Sequence, residues 1–208
     1  MPNMKRRERL QSRMISIWFI VFPAIIVAGC DPYSKGNKDL AEGKYQEAAE
    51  YFESKLKSKP EDPVLNNQLA YSYTKIGKFD LAVKYYQKAI QLKPDYPEAH
   101  YNLGYLYMNR PFMQLEDAVK EFDQAIKLKP NYAKAYNNRG LTYVYAGRFD
   151  LAEKDLEKAI SLEPQNQVYK DNLDYCKKMK ELGQAVTPPK QESKNQQSGA
   201  GQPSGKTP

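Results

Sequence analysis

The sequence contains few of the residues that carry out chemistry. There is one histidine, His100, and there are two cysteines, Cys30 and Cys176, among 208 residues. A zinc site therefore has no set of nitrogen and sulfur ligands to draw on, and we predict no metal. Neither a glycine-rich phosphate-binding loop nor a serine nucleophile elbow occurs. These absences argue against an enzyme and predict no cofactor.

The chain also lacks a basic stretch suited to nucleic acid. Its formal net charge is +7, but five basic residues and only one acidic residue lie within the first 13 positions. The remaining charges are nearly balanced, and Lys and Glu alternate as they do on a solvated helix face. We therefore predict that nucleic acid is not a partner.

The last segment, residues 184–208, has almost no apolar side chains. It consists mainly of Pro, Gly, Ser, Gln and Lys. Such a composition buries too little surface to offset the entropy lost on ordering. We predict a disordered, low-complexity tail.

The first 29 residues have the organisation of an export signal. A basic segment ending at Arg13 precedes an apolar run from Met14 to Gly29, which is short for a membrane-spanning helix. The run closes on Val27-Ala28-Gly29-Cys30, which resembles the bacterial lipobox. That resemblance implies cleavage of the signal peptide 1–29 and acylation of Cys30, palmitate included. The alternative is an uncleaved signal anchor that ends on a cysteine by chance.

Lipidation of Cys30 would leave Cys176 unpaired, and we interpret Cys176 as a small buried residue of a helix. Several acyl chains would hold the protein stably at a membrane, facing the periplasm. Asp31 resembles the residue that retains enterobacterial lipoproteins in the inner membrane, so the inner membrane is favoured and the outer membrane stays open.

The middle of the chain repeats itself. The segment 63–96 returns at 133–166 without a gap, at 97–132 with two extra residues between positions 109 and 114, and in a weaker copy before Pro60. The copies share small, aromatic, glycine and proline positions, which in the first full copy are Leu69, Ala70, Tyr73, Gly77, Phe79, Ala82, Tyr86, Ala89 and Pro94. This pattern resembles the tetratricopeptide (TPR) repeat of about 34 residues.

The resemblance implies an all-α fold, a TPR solenoid of about four helix-turn-helix repeats within a domain at 30–183. Residues 167–183 continue the helical pattern and are interpreted as a C-terminal capping helix. Gly77 and Gly147 are expected to form turns between paired helices, and Asp80 and Asp150 to cap the second helix of each pair. Asp62 is expected to cap the helix that begins at Pro63.

In the TPR family the concave face is lined by the leading helix of each repeat. Carried over to this chain, counting Pro63, Pro97 and Ala133 as first positions, the predicted groove residues are Asn67, Gln68, Tyr71, Tyr101, Asn102, Tyr105, Asn137 and Asn138. A row of amides can bond to the backbone of an extended peptide whatever its sequence. The alternative is that these residues only keep a concave surface soluble. Other TPR proteins hold chaperone tails with a clamp of Lys, Asn and Arg side chains. In this chain only Asn102 and Lys134 match the residues that the clamp requires.

These features predict a membrane-anchored, periplasm-facing adaptor that binds a protein or extended peptide in its groove. Bacterial TPR lipoproteins resemble it in layout, which implies roles in pilus or secretin assembly, outer-membrane biogenesis or control of cell-wall enzymes. The alternative is a structural subunit of an envelope complex that uses its convex face and capping helix.

Overall fold

The computed structural model describes residues 33–109 and 111–183, and within these ranges every regular element is a helix. The elements are α1 (Ser34–Ala41), α2 (Tyr45–Leu56), α3 (Pro63–Lys75), α4 (Phe79–Leu92), α5 (Pro97–Met108), α6 (Leu115–Leu128), α7 (Ala133–Tyr145), α8 (Phe149–Leu162) and α9 (Gln167–Leu182). The prediction of an all-α solenoid of helix-turn-helix repeats is confirmed.

Several predicted features lie outside the described residues. They are the signal peptide 1–29, the lipidation site Cys30, Asp31, and the tail 184–208. Within the described ranges, no helix combines the length and the apolar character needed to cross a membrane.

The leading helix α3 begins where the sequence predicts. The carboxylate of Asp62 accepts hydrogen bonds from the backbone N–H groups of Val64 (2.9 Å) and Leu65 (3.1 Å), and Pro63 occupies the first turn. Proline has no N–H to leave unsatisfied at that position. The helix start is therefore fixed by an Asp-Pro pair.

The four hairpin turns share one geometry. Gly43, Gly77 and Gly147 take positive φ angles of 74°, 79° and 71°, and Met113 takes this place in the repeat with the two-residue insertion, at 52°. In each turn, the backbone N–H of the residue after the positive-φ residue donates to a carbonyl of the leading helix. Examples are Lys78 to the Tyr73 carbonyl (2.9 Å) and Gln114 to the Tyr107 carbonyl (2.9 Å). The insertion therefore lengthens the loop without changing how the second helix is entered.

The predicted capping role of Asp80 and Asp150 is wrong. The second helices α4 and α8 have Lys78 and Arg148 as N-caps, and neither cap makes a side-chain hydrogen bond. Because the glycine turn delivers the chain directly into the helix at Phe79 and Phe149, the aspartates fall in the first turn. There they face the positive end of the helix dipole instead of capping it.

Small residues allow the paired helices to approach closely. Alanines recur at two positions of α4, α6 and α8 and at the first of these positions in α2, and each of them is fully buried: Ala48, Ala82, Ala89, Ala118, Ala125, Ala152 and Ala159. Aromatic and leucine side chains such as Phe52, Phe122 and Leu156 fill the space beside them. Cys176 of α9 is also fully buried, and burial raises the pKa of its thiol to about 11.

The stacking of the repeats places the leading helices on the inside of the curve. Helices α3, α5, α7 and α9 contact each other in succession, whereas no pair of second helices within the described ranges packs to that extent. Since the leading helices approach one another and the second helices diverge, the leading helices line the concave face.

Candidate functional site: the concave groove

The predicted groove residues occupy matching positions on consecutive leading helices. Positions five and six are Asn67 and Gln68 on α3, Tyr101 and Asn102 on α5, and Asn137 and Asn138 on α7. Position nine is Tyr71 on α3 and Tyr105 on α5. All eight residues are thus brought onto the concave side, as the repeat numbering predicts.

Most of the amides bond to one another instead of facing solvent. Asn102 donates through Nδ2 to Oδ1 of Asn67 at 3.1 Å, and Asn172 of α9 donates to Oδ1 of Asn137 at 2.7 Å. Asn138 donates to the Tyr101 hydroxyl at 3.0 Å. In each bond a side chain at position six reaches position five of the preceding leading helix. We call this row of bonds the inter-repeat ladder.

The asparagines of the ladder differ in how exposed they are and in how many of their donor and acceptor atoms the ladder uses. Asn67, Asn137 and Asn138 are nearly buried, with 4%, 6% and 8% of their surfaces exposed. Asn138 also accepts through Oδ1 from Asn137, at 3.0 Å. Asn102 is half-buried, and among the described residues no donor reaches its Oδ1. Asn102 is therefore the amide best placed to accept a bond from a partner.

At the first repeat the ladder takes another form. Gln68 donates through Nε2 to Oδ1 of Asn37 on α1, at 2.8 Å. The Tyr33 hydroxyl, which precedes α1, donates to the carboxylate of Asp62 at 2.8 Å. The first hairpin is thus fastened to the second by side chains on the leading helices.

A second row consists of tyrosines. Tyr71, Tyr105 and, on α9, Tyr175 lie at position nine, and Tyr145 of α7 lies one turn further along its helix; all four are half-buried. Burial raises the pKa of Tyr145, and the nearby hydroxyls of Tyr175 and Tyr105 raise it further. We call these four residues the tyrosine row.

Tyr101 connects the two rows. Its ring lies 5.0 Å from that of Tyr132 and 5.9 Å from that of Phe122, measured between centroids. Burial and the neighbouring Tyr105 raise the pKa of Tyr101 to about 12. Its hydroxyl therefore stays protonated at physiological pH and is held by Asn138.

Two of the predicted groove residues also hold the repeats together. Asn67 and Gln68 join neighbouring repeats, since their partners lie 35 and 31 residues away. Tyr175 was not among the predicted groove residues because α9 was interpreted only as a cap. Its position nine, counted from Gln167, was the signal that could have found it.

The described residues of the groove supply amides for hydrogen bonding and tyrosine rings for aromatic contact. Among the residues that the structure describes, no cluster of His, Cys, Asp or Glu could hold a metal ion. His100 lies at a helix start, where Glu121 and the Pro94 carbonyl bond to its ring. Both ring nitrogens of His100 are therefore engaged in packing contacts.

Comparison with known families identifies the repeats. Residues 70–109 and 114–147 match a TPR repeat model, and residues 133–166 match the tetratricopeptide repeat model. No curated protein sequence matches the chain.

Solved structures with similar folds include repeat proteins that bind peptides. The crystal structure of MamA is 25% identical, with a TM-score of 0.62 over 73% of this chain and 84% of that one. YrrB, described as a TPR protein with an unusual peptide-binding site, is 28% identical, with a TM-score of 0.59 over 67% and 71%. The first TPR domain of Spaghetti (RPAP3), bound to the HSP90 peptide SRMEEVD, is 26% identical, with a TM-score of 0.53 over 56% and 90%.

Proposed function

We propose, from the premise that this chain carries tetratricopeptide repeats, that it is a membrane-anchored adaptor. It binds a protein or an extended peptide in its concave groove, works in the assembly of the cell envelope, and catalyses no reaction. Two solved structures of similar fold, YrrB with a peptide-binding site and the RPAP3 domain bound to an HSP90 peptide, support the binding of a peptide by this chain.

The tyrosine row is the observation that carries the proposal. Four half-buried tyrosines lie at matching or neighbouring positions on the consecutive leading helices that line the concave face. Tyrosine combines a large apolar ring with a polar hydroxyl and loses little conformational entropy on binding. A row of such rings suits a peptide that lies along the groove.

The ladder changes how the groove would bind. Asn67, Asn137 and Asn138 hold neighbouring repeats together, so the partner's backbone would bond mainly to Asn102. A single hydrogen bond contributes only about 0.5–1.5 kcal/mol net. Most of the binding free energy would therefore come from contact with the tyrosine row. The ladder would supply rigidity, which lowers the cost of ordering the groove on binding.

The test compares one position inside the groove with one outside it. The full-length chain would carry a photo-crosslinking residue in intact cells in place of Tyr105, or in place of Lys154, an exposed residue of α8 on the outer side. We expect a defined protein crosslinked at position 105 and not at 154, and lost when Asn102→Ala is added. Crosslinking at 154 alone would refute the groove as the binding site.

The membrane anchor requires its own test. We propose that Cys30 carries the lipid, on the grounds of the Val27-Ala28-Gly29-Cys30 sequence. Mass spectrometry of the protein extracted from membranes should show a chain that begins at an acylated Cys30. An unmodified Cys30 still joined to Gly29 would refute the lipid anchor, and fractionation of the two membranes would decide between inner and outer.

A second candidate is a structural subunit that assembles through its outer face. Three leucines on second helices are exposed, Leu81 at 38%, Leu128 at 37% and Leu151 at 44%, and so are Val168 and Leu182 of α9 at 60% and 54%. If these residues form a permanent interface, Leu81→Ser with Leu151→Ser should lower the mass of the native complex. The same change would leave crosslinking at position 105 intact if the groove is the binding site.

A further inference from the structure

A cleft of about 990 Å³ opens on the outer side of the solenoid, between the second helices α2 and α4. Its floor is formed by Asn66 and Tyr73 of the leading helix α3. Side chains of α2, of the following turn and of α4 form its walls: Glu53, Leu56, Lys57, Pro60, Lys84, Tyr85, Gln87, Lys88 and Gln91. The cleft lies on the side of the repeats opposite the concave groove.

At the next two junctions between second helices, a basic side chain of the leading helix lies in the equivalent place. Between α4 and α6, His100 bonds through Nδ1 to Glu121 at 2.7 Å and through Nε2 to the Pro94 carbonyl at 3.1 Å. Between α6 and α8, Arg139 bonds to Asp123 at 2.5 Å and to both carboxylate oxygens of Asp155 at 2.6 and 2.7 Å. Each of these side chains bonds to acidic residues of the second helices beside it.

The first junction has no such side chain. Where the other repeats place His100 and Arg139, this repeat has Asn66, which bonds only to backbone carbonyls near its own helix start, and Leu69, which is fully buried. The Tyr73 hydroxyl bonds to Glu53 and so engages the only carboxylate of the lining. The centre of the cleft is thus left open.

The charges at the walls of this cleft are mainly positive. Lys57, Lys84 and Lys88 line it, and within the described residues none of the three forms an ion pair. The ring of Tyr85 lies 5.7 Å from that of Tyr73, between centroids, and remains half exposed. The cleft therefore combines three lysines that form no ion pair within the described residues with the partly exposed ring of Tyr85, over which Lys84 Nζ lies 5.9 Å from the centroid.

We propose that this outer cleft binds an acidic segment of a protein partner. Carboxylates of the segment would pair with the three lysines, and an apolar or aromatic side chain would pack against Tyr85. The cleft is large enough for several side chains, and its aromatic floor lies below the lysines, where a flat membrane surface does not reach. Binding at this site would leave the concave groove free for its own partner.

The test uses the full-length chain in detergent micelles and a fluorescein-labelled peptide, Glu-Glu-Tyr-Glu-Glu-Leu-Glu, with anisotropy as the readout. We expect binding that weakens as salt is added, and about tenfold weaker binding after Lys84→Glu with Lys88→Glu. The same peptide with Lys in place of Glu should not bind. Absence of binding to the native chain would overturn the proposal.

The matched control lies two repeats further on. Lys154 and Lys158 occupy the same repeat positions on α8, are exposed, and border the junction filled by Arg139. Lys154→Glu with Lys158→Glu should leave the affinity unchanged; an equal loss would show general attraction to a basic chain and overturn the site.

A second measurement uses the native chain without substitutions. Bound peptide should protect Lys57, Lys84 and Lys88 from acetylation. If vesicles rich in phosphatidylglycerol protect these lysines and the peptide does not, the ligand is a lipid and the proposal is wrong.

Discussion

Asn102 on α5 and Asn67 on α3 lie 35 residues apart, and the Nδ2 of Asn102 donates to the Oδ1 of Asn67 at 3.1 Å. The same relation, position six to position five, joins Asn138 to Tyr101 and Asn172 to Asn137. The concave face is therefore held together by polar side chains that join successive leading helices. Because each bond spans one junction, the ladder couples the stability of neighbouring repeats.

The ladder predicts a large effect for Asn137→Ala. Asn137 is 6% exposed, donates to Asn138 and accepts from Asn172, so its loss leaves polar groups on two helices without a partner. We expect the free energy of unfolding in urea to fall by about 1–3 kcal/mol. Asn131→Ala, an exposed amide in the turn before α7, is the control and should change it by less than about 0.5 kcal/mol. Equal effects of the two changes would contradict a role for the ladder.

The repeat pattern determines the fold because its residues are selected by local geometry. Gly77 is needed for a positive φ, Asp62 caps the helix at Pro63, and Ala82 lets two helices cross closely. These requirements recur at a fixed period and can be found in one sequence. The positions of the groove residues follow from the same numbering.

The bonding of those residues could not be predicted in this way. An asparagine on the concave face can bond to a peptide or to the neighbouring helix, and both need the same residue at the same position. The choice depends on the distance between α3 and α5, which follows from side chains elsewhere in the junction. The open outer cleft between α2 and α4 could not be predicted from the repeat pattern either. At the fourth position of the repeat, Asn66 leaves this cleft open, whereas His100 reaches Glu121 at the next junction.

The pair of His100 and Glu121 predicts a dependence of stability on pH. Burial alone would lower the pKa of His100, but hydrogen bonds to Glu121 and to the Pro94 carbonyl outweigh it and raise the pKa above its ordinary value. A raised pKa in the folded state stabilises the fold fully below the pKa of the unfolded chain, about 6.5. The contribution is lost as the pH rises from there through the folded pKa.

The measurement is urea unfolding of the native chain and of His100→Gln at pH values from about 5.5 to 9. We expect the difference in free energy of unfolding to be largest at the acidic end, about 1.5–3 kcal/mol as for bonds to charged groups, and to shrink toward alkaline pH. Glu121→Gln should flatten the same profile. A difference that stays constant over this range would show that His100 is neutral in the fold.

Arg139 predicts a non-additive pair of substitutions. It stands where the preceding repeats have the buried Leu69 and Leu103, and it bonds to both oxygens of Asp155, whose surface is 6% exposed. Arg139→Leu restores the leucine but leaves the Asp155 carboxylate buried and unpaired, so we expect a loss of about 3 kcal/mol. Adding Asp155→Leu should recover most of it, because an apolar pair often replaces a buried ion pair at little cost. Calorimetry of the two variants would show this, and additive losses would contradict it.

Gly36 predicts that the first repeat can be released on its own. A methyl group at this position of α1 would collide with the ring of Phe52 and lie 2.8 Å from Cδ1 of Tyr51. Phe52 is fully buried and cannot move aside. Alanine favours a helix over glycine by about 1 kcal/mol, but overpacking a core costs about 1–3 kcal/mol, so Gly36→Ala should destabilise the hairpin of α1 and α2.

Hydrogen exchange is the appropriate measurement because the repeats contact only their neighbours. Amide protection should fall in α1 and α2 of Gly36→Ala while α6 to α8 keep the protection of the native chain. Gly104→Ala serves as a milder variant for comparison. Its methyl group would lie 3.0 Å from Phe122 and 3.2 Å from the Ala118 carbonyl, and small shifts can relieve contacts at these distances. Gly36→Ala should therefore cause the larger local loss of amide protection. Because α2 forms one wall of the outer cleft, Gly36→Ala should also reduce peptide binding there. Crosslinking at position 105 should remain. Loss of protection along the whole chain would instead mean that the solenoid unfolds as one unit.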